Sequence, residues 1–269
     1  MDMLDAIILG IVQGITEFLP ISSTGHLILA RSFLEVADGH ALAFDAMLHL
    51  ATAGAVIVYF SKDIRQLLQT LLRMFGRLPV DARDVTLLKA LVIGTIPAVV
   101  LGLFLEGFME STFRDPLLVA GVLVAGSILF MFAEYKYQNS AREGKMTVST
   151  GLKVGFFQSL ALLPGMSRSG ATIAGGMLLG FTRIEAARFA FLLAIPVILG
   201  AGGKKYIELM TSDATVSWVP ILVGAATAFV VGLVAIHFML SFVRNHTLWP
   251  FIWYRIILAG FVVFFVLVG

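Results

Sequence analysis

A chain of 269 residues with 59% hydrophobic and 13% charged side chains departs from soluble domains, which run about 45–50% apolar and about 25% charged; with a mean hydropathy of +0.95 it reads as an integral membrane protein. The net charge is only +2, and the pI near 9.0 comes from arginine and lysine gathered in loops, a mark of membrane orientation that excludes a nucleic-acid partner. Cysteine is absent, which removes disulfides, thiolate nucleophiles and sulfur-ligated metals.

Met1 to Gly10 carries Asp2 and Asp5 with no basic segment, unlike a cleaved signal peptide. Residues 3–37 are apolar but break at "LPISSTG". Six later stretches are long enough to cross a bilayer: 41–60, 88–105, 116–135, 184–203, 217–240 and 250–268. Between the third and fourth, residues 151–181 break at "LPGMSRSG". The pieces flanking each break are too short to span, as in re-entrant helical hairpins. Non-helical backbone at membrane depth survives only where protein buries it or a polar cavity wets it, so both breaks point inward, at a site.

The two broken regions are copies. A shift of 145 residues lays "GIVQGITEFLPISSTGHLI" on "GFFQSLALLPGMSRSGATI", pairing Gly10 with Gly155, Gln13 with Gln158, Ser22 with Ser167 and Gly25 with Gly170. "LVIGTIPAVVLGL" (91–103) matches "ILVGAATAFVVGL" (221–233), and "PLLVAGVLVAG" (116–126) matches "PFIWYRIILAG" (250–260). The expected fold is an all-α polytopic bundle forming one domain over 1–269, with repeat one over about 1–135 and repeat two over about 150–269. Each repeat holds a re-entrant hairpin and three spans, and the odd number of crossings inverts one against the other. Ser22–His26 and Ser167–Thr172 should then face each other near the midplane.

Residues 61–89 and 136–153 are rich in lysine and arginine, including Arg142, and belong in the cytoplasm, whereas 106–115 has Glu106, Glu110 and Asp115 against Arg114. This sets the first hairpin outside and the second inside. Lys204 and Lys205 fall outside and count against it.

Short helices are expected to begin near His26 and Ala171, and helix starts with free N–H groups bind anions. With the hydroxyls of Ser22, Ser23, Thr24, Ser167, Ser169 and Thr172, with Gly25 and Gly170 admitting close backbone approach, and with Arg168, they describe a phosphate pocket. The structural alternative is small-residue helix packing and an Arg168–Glu17 ion pair. Gln13 and Glu17, four apart, share a helix face. Glu17 suits a divalent cation, a general base or a hydrogen-bonded acid. His26, three after Ser23, suits proton transfer or nucleophilic attack, with a ring satisfied by backbone in a polar break as the structural alternative. His49, four after Asp45, could support the site from the third segment, with structural packing the favoured reading; His40, His237 and His246 read as interfacial; Arg255, inside the last span, has no assigned partner.

"QGITE" fits an (E/Q)-x-x-x-E motif, "SSTGH" follows it, "PGMSRSGAT" fits P-G-x-S-R-S-x-x-T, and "GTIPAVVLG" lies between. On these motifs the whole chain resembles the bacterial undecaprenyl-diphosphate phosphatases, also called bacitracin-resistance proteins. The resemblance implies hydrolysis of the terminal phosphate of undecaprenyl diphosphate, recycling the lipid carrier of peptidoglycan and other cell-wall polymers. It further implies dependence on Mg²⁺ or Ca²⁺, with Glu17 at the metal, and a multi-pass place in the plasma (inner) membrane with the site open to the periplasmic face. Carried over residue by residue, the functional set is Glu17, Ser23, His26, Ser167, Arg168 and Thr172, with Gln13 at the variable position. Ser23, His26 or water is left as the nucleophile, and a homodimer is left open. The competing class is an inverted-repeat lipid or anion transporter, which needs the cation but not a nucleophile and base. Type 2 phosphatidic-acid phosphatases share only an "STGH"-like element and are set aside.

Overall fold

The computed structural model describes residues 1–36, 41–112, 115–139, 144–211 and 217–268, without the side chains of 41–43 and 106–112. The expectations for His40, Arg114 and Arg142 lie outside the described residues, and those for Glu106 and Glu110 rest on side chains outside the description. Eleven α-helices and no strand occur among those described. They are α1 (Met3–Thr16), α2 (Ser23–Leu34), α3 (Ala41–Tyr59), α4 (Ser61–Phe75), α5 (Ala82–Thr112), α6 (Pro116–Asn139), α7 (Val148–Ser159), α8 (Arg168–Leu178), α9 (Arg183–Met210), α10 (Trp218–Asn245) and α11 (Trp249–Val268).

The two broken regions fold alike because the same local chemistry starts and stops them. Asp2 and Asp5 close a capping box on α1, and Thr147 and Thr150 close one on α7, at positions that the 145-residue shift superposes. Both breaks end on a serine in the left-handed region, Ser22 at φ 77° and Ser167 at φ 71°. Such a backbone is strained for a side chain and persists only where its surroundings enforce it. It turns the chain so abruptly that α2 begins at Ser23 and α8 at Arg168, three residues before the starts expected at His26 and Ala171.

Five helices, α5, α6, α9, α10 and α11, are long and apolar enough to cross a membrane, and α3 makes a sixth when taken with α4, from which it is bent by 80°. The stretch 61–89 is therefore not the basic loop expected. Its charges hid an amphipathic helix: α4 buries Leu67 and Thr70 and exposes Leu68, Leu72 and Phe75 beside Lys62, Arg65 and Arg73. Lying across the end of α3, such a helix suits the lipid–water boundary. Arg188 Nη2 ties it to α9 through Asp63 at 2.7 Å.

Packing follows the repeat. α1 lies against α10 and α7 against α5, so each hairpin is held by the other half's helix; α3 meets α9, and α6 meets α11. The crossings depend on matched glycines. A Cβ on Gly10 would stand 2.5 Å from the Gly224 carbonyl oxygen, and one on Gly155 would overlap the Gly94 carbonyl oxygen. These are the same contact after exchange of halves, since Gly10 pairs with Gly155 and Gly94 with Gly224. Small residues at such crossings let helix backbones close up in lipid, where van der Waals contact drives association. Phe18, fully buried beside the first break, packs edge-on against Phe191 of α9 at 5.5 Å between ring centroids.

Gly155→Leu must drive backbone from backbone and should cost about 3 kcal/mol or more. Thermal unfolding in detergent should show a clearly lowered midpoint. Gly260→Ala, where no atom lies within 4 Å of an added Cβ, should leave the midpoint unchanged or slightly raised; equal behaviour of the two variants refutes the close-crossing account.

Candidate functional site

Glu17 is the first residue beyond α1 and is 5% exposed. Its Oε1 accepts a hydrogen bond from Arg168 Nη2 at 2.6 Å, which joins the two breaks. Its Oε2 accepts from Ser23 Oγ at 2.8 Å and from Gln13 Nε2 at 3.0 Å. His49 Nδ1 lies 3.4 Å from the same oxygen and 3.0 Å from Gln13 Nε2. Each neighbour has a structural reason to be there: Gln13 is one turn back along α1, Ser23 opens α2, and Arg168 opens α8. The carboxylate is thus the common partner of a hydroxyl, an amide and a guanidinium.

Glu17, Ser23, His49 and Arg168 line a cavity of about 380 Å³. Glu17, Ser22, Ser23 and Thr24 come from the first break and Ser167 and Arg168 from the second, as the facing-breaks expectation required. The apolar part of the lining includes Ala98, Ala161, Val197, Ile198 and Ala201. No side chain caps the start of α2, whereas Ser167 Oγ accepts from Gly170 N at 3.3 Å and partly caps α8. Oriented donors, a cation and a hydroxyl held by a carboxylate suit an anion that is to be attacked.

Several residues expected at the site stand behind it instead. The His26 ring is turned from the cavity; it stacks on Tyr254, takes Tyr254 Oη at 2.6 Å on Nε2, and has the Ser22 carbonyl oxygen 2.7 Å from Nδ1. Thr172 Oγ1 donates to the Arg168 carbonyl at 2.7 Å, and Ser169 Oγ donates to the Leu19 carbonyl at 3.2 Å, so both hydroxyls serve backbone. Gly170 is glycine because the Phe130 ring fills the place of a Cβ, not because a ligand approaches. A Cβ at Gly25 would meet only ordinary contacts. Gln13 does not reach the cavity wall and acts on it through Glu17 and His49.

The sequence underrated others. His49, expected to pack structurally, lines the cavity, as do Asp45, Gln158 and Lys205. Asp45 is paired with Arg31, whose Nη1 donates to Oδ2 at 2.7 Å. The Asp45–His49 spacing and the Gln13–Gln158 pairing were the available signals. Lys205, an anomaly in the charge distribution of the loops, has a place at the cavity.

Arg255 holds both breaks in position. It is fully buried and donates five hydrogen bonds: to Pro20 O at 3.5 Å in the first break, to Gly165 O at 3.0 Å and Met166 O at 3.1 Å in the second, and to Leu123 O at 3.0 Å and Ser127 Oγ at 3.2 Å on α6. The face of Phe130 lies 4.8 Å from its Cζ. Breaks forgo helical hydrogen bonds, and their carbonyls need other donors at depth.

No group of three His, Cys, Asp or Glu side chains able to hold a metal occurs among the described residues. Mg²⁺ characteristically takes one or two carboxylates and completes its shell with substrate phosphate and water. Glu17 on the cavity wall fits that incomplete kind of site.

The family model described as bacitracin resistance protein BacA matches residues 6–261. Undecaprenyl-diphosphatase of Trichlorobacter lovleyi is 42% identical over 258 residues, 95% of this chain and 94% of that protein. Undecaprenyl-diphosphatase of Micrococcus luteus is 39% identical over 273 residues, 100% of this chain and 98% of its own. A third, from Saccharophagus degradans, is 39% identical over 261 residues, 97% of each.

Arg255→Met removes five donors and leaves buried carbonyls unpaired, each worth about 1–3 kcal/mol. Its thermal midpoint in detergent should fall sharply, and Arg255→Lys, with a charge but fewer donors and no planar fork, should recover little of it. Full recovery by lysine would mean that charge rather than the five-bond geometry matters.

Proposed function

The chain belongs to the bacitracin resistance protein BacA family, and from that premise we propose how its cavity removes the terminal phosphate of undecaprenyl diphosphate. The protein is an undecaprenyl-diphosphate phosphatase, an integral membrane hydrolase that returns the lipid carrier as its monophosphate. The observation that carries the mechanism is Ser23 Oγ donating at 2.8 Å to a carboxylate that Arg168 holds from the other side.

Arg168 and the uncapped start of α2 bind the diphosphate oxygens. As Arg168 turns from Glu17 to phosphate, Glu17 becomes free to take the Ser23 proton. Ser23 Oγ then attacks the terminal phosphorus, and the bond from phosphorus to the bridging oxygen breaks. Undecaprenyl phosphate leaves with the bridging oxygen. Water attacks the phosphoserine, inorganic phosphate departs, and Glu17 returns its proton to Ser23. Neutralising the charge of the transferred group and placing the nucleophile in line are what this chemistry demands. His26 supports the Ser22 turn through the Ser22 carbonyl, so we assign it to positioning rather than attack.

A divalent cation, Mg²⁺ or Ca²⁺, would be held by Glu17 together with phosphate oxygens and would neutralise charge on the diphosphate. We further propose the bacterial plasma membrane, with inverted repeats and the cavity open to the outer face. The basic residues of 61–89 and 136–153 support this orientation, and the exchange-matched helix crossings support the repeat. Recycling of the carrier there serves peptidoglycan synthesis and bacitracin resistance. Transport alone is disfavoured, because a bound anion needs Arg168 but not a serine hydrogen-bonded to a carboxylate.

The purified protein should release phosphate from farnesyl and undecaprenyl diphosphates and lose this with EDTA. Ser23→Ala and Glu17→Gln should each lower kcat about 10³-fold. A substrate labelled in its terminal phosphate should leave label on wild-type protein in acid quench but none on Ser23→Ala. Release by wild type with no labelled protein and an active Ser23→Ala would replace serine attack by water attack; no release with any divalent metal would overturn the enzymatic mechanism.

A further inference from the structure

The 145-residue shift pairs Gln13 with Gln158, but the two amides do not do the same work. Gln13 Nε2 is engaged by Glu17 and His49. Gln158, on the last turn of α7, is 2% exposed and lines the cavity, yet neither Nε2 nor Oε1 has a hydrogen-bond partner among the described residues. Arg168 Nη1 is buried without a partner as well, while its Nη2 holds Glu17. The only other such atom among the described residues is Gln13 Oε1. Three of the four unpaired buried side-chain atoms among the described residues therefore lie on two side chains that line the cavity.

Leaving a buried donor or acceptor unmatched destabilises a protein, and each instance calls for a reason. Helix α7 does not need this amide: Ser159, next in sequence, satisfies the Gly155 carbonyl at 3.0 Å, and the break continues as a 3-10 turn over Leu160–Leu162. The chemistry of the orphans specifies their ligand. The guanidinium Nη1 and the amide Nε2 together present donors only, which calls for a group dense in acceptor oxygens. The amide Oε1 needs one O–H. A phosphoryl group carrying one proton supplies both, and inorganic phosphate or diphosphate shares that chemistry.

We infer that Gln158 contacts the substrate, gripping with Arg168 Nη1 the terminal phosphoryl group that the reaction removes. This rests on the phosphatase mechanism above and adds to it a residue from the second half of the chain that no motif marks. An amide binds phosphate oxygens without a full charge, so it orients the group for attack by Ser23 and lets the product phosphate go. In the ligand-free protein the same amide is a liability, and this gives the inference a sign that a structural role lacks.

The test is Gln158→Leu in the full-length protein in detergent. Its thermal midpoint without ligand should equal or exceed that of wild type, because an unmatched buried amide has been removed. KM for farnesyl diphosphate should rise about tenfold, the loss of a hydrogen bond to a charged group, with a smaller change in kcat. The upward shift of the midpoint by inorganic pyrophosphate should shrink in proportion. Gln158→Glu should raise KM further by placing a carboxylate against phosphate. Gln158→Asn, which keeps the amide but draws it back, should be stable with raised KM and serves if leucine prevents folding. Unchanged KM and an undiminished pyrophosphate shift would overturn the inference, as would a lowered midpoint with unchanged KM. If wild type releases no phosphate at all, the phosphatase mechanism fails separately, and the pyrophosphate shift still decides whether Gln158 binds the anion.

Discussion

A guanidinium that is completely buried and meets no ion-pair partner among the described residues is the constraint on which the site depends. Arg255 spends its donors on carbonyls of Pro20, Gly165 and Met166, groups exposed because the chain has left the helix at those points. An unpaired arginine at membrane depth is expensive by any estimate. So are unpaired carbonyls in the same place. Each offsets the other, and the result is geometric: two breaks far apart in sequence are tied to each other and to α6 by one side chain of α11, with Glu17 and Arg168 within 2.6 Å. Gly126 belongs to the same arrangement, since a Cβ there would overlap the Arg255 guanidinium.

The breaks are built on one pattern and used differently. Ser22 and Ser167 adopt the same left-handed backbone, and the residue after each opens a helix. At that position one half carries Ser23 and the other Arg168. In the proposed reaction these are the nucleophile and the cation that holds its target. The equivalent of Glu17 is Leu162, and the equivalent of His26 is Ala171. Two helix starts with the same backbone turn contribute to one cavity, and the different side chains at those starts divide the labour between them. A single carboxylate from one half can then serve hydroxyl and guanidinium together.

Much of this was legible in the chain. The breaks, their duplication and the meeting of Glu17 with Arg168 follow from local signals: proline, glycine and serine inside apolar runs, and a lone acid and a lone base at membrane depth. What escaped was set by tertiary contact. Arg255 is answered by backbone carbonyls, and any residue type supplies those. His26 was placed by its distance from Ser23, but Tyr254, 228 residues away, turns the ring aside. Hydroxyls at 169 and 172 looked like ligands and are occupied by carbonyls of Leu19 and Arg168. Helix α4 was hidden by its charges, since a surface-lying helix has the composition of a loop and only its periodicity distinguishes it.

The proportions of the cavity bear on why a phosphatase should be so apolar. Its lining combines polar side chains, many of them from the two breaks, with apolar ones such as Ala98, Ala161, Val197, Ile198 and Ala201. A prenyl diphosphate combines the same two characters, with charge at one end and hydrocarbon beyond. Hydrocarbon gains little by moving from lipid to protein, so affinity has to come from the phosphates. That places the demand for recognition on a few donors, and it accounts for a site that concentrates buried, unmatched hydrogen-bonding groups where the diphosphate is to sit.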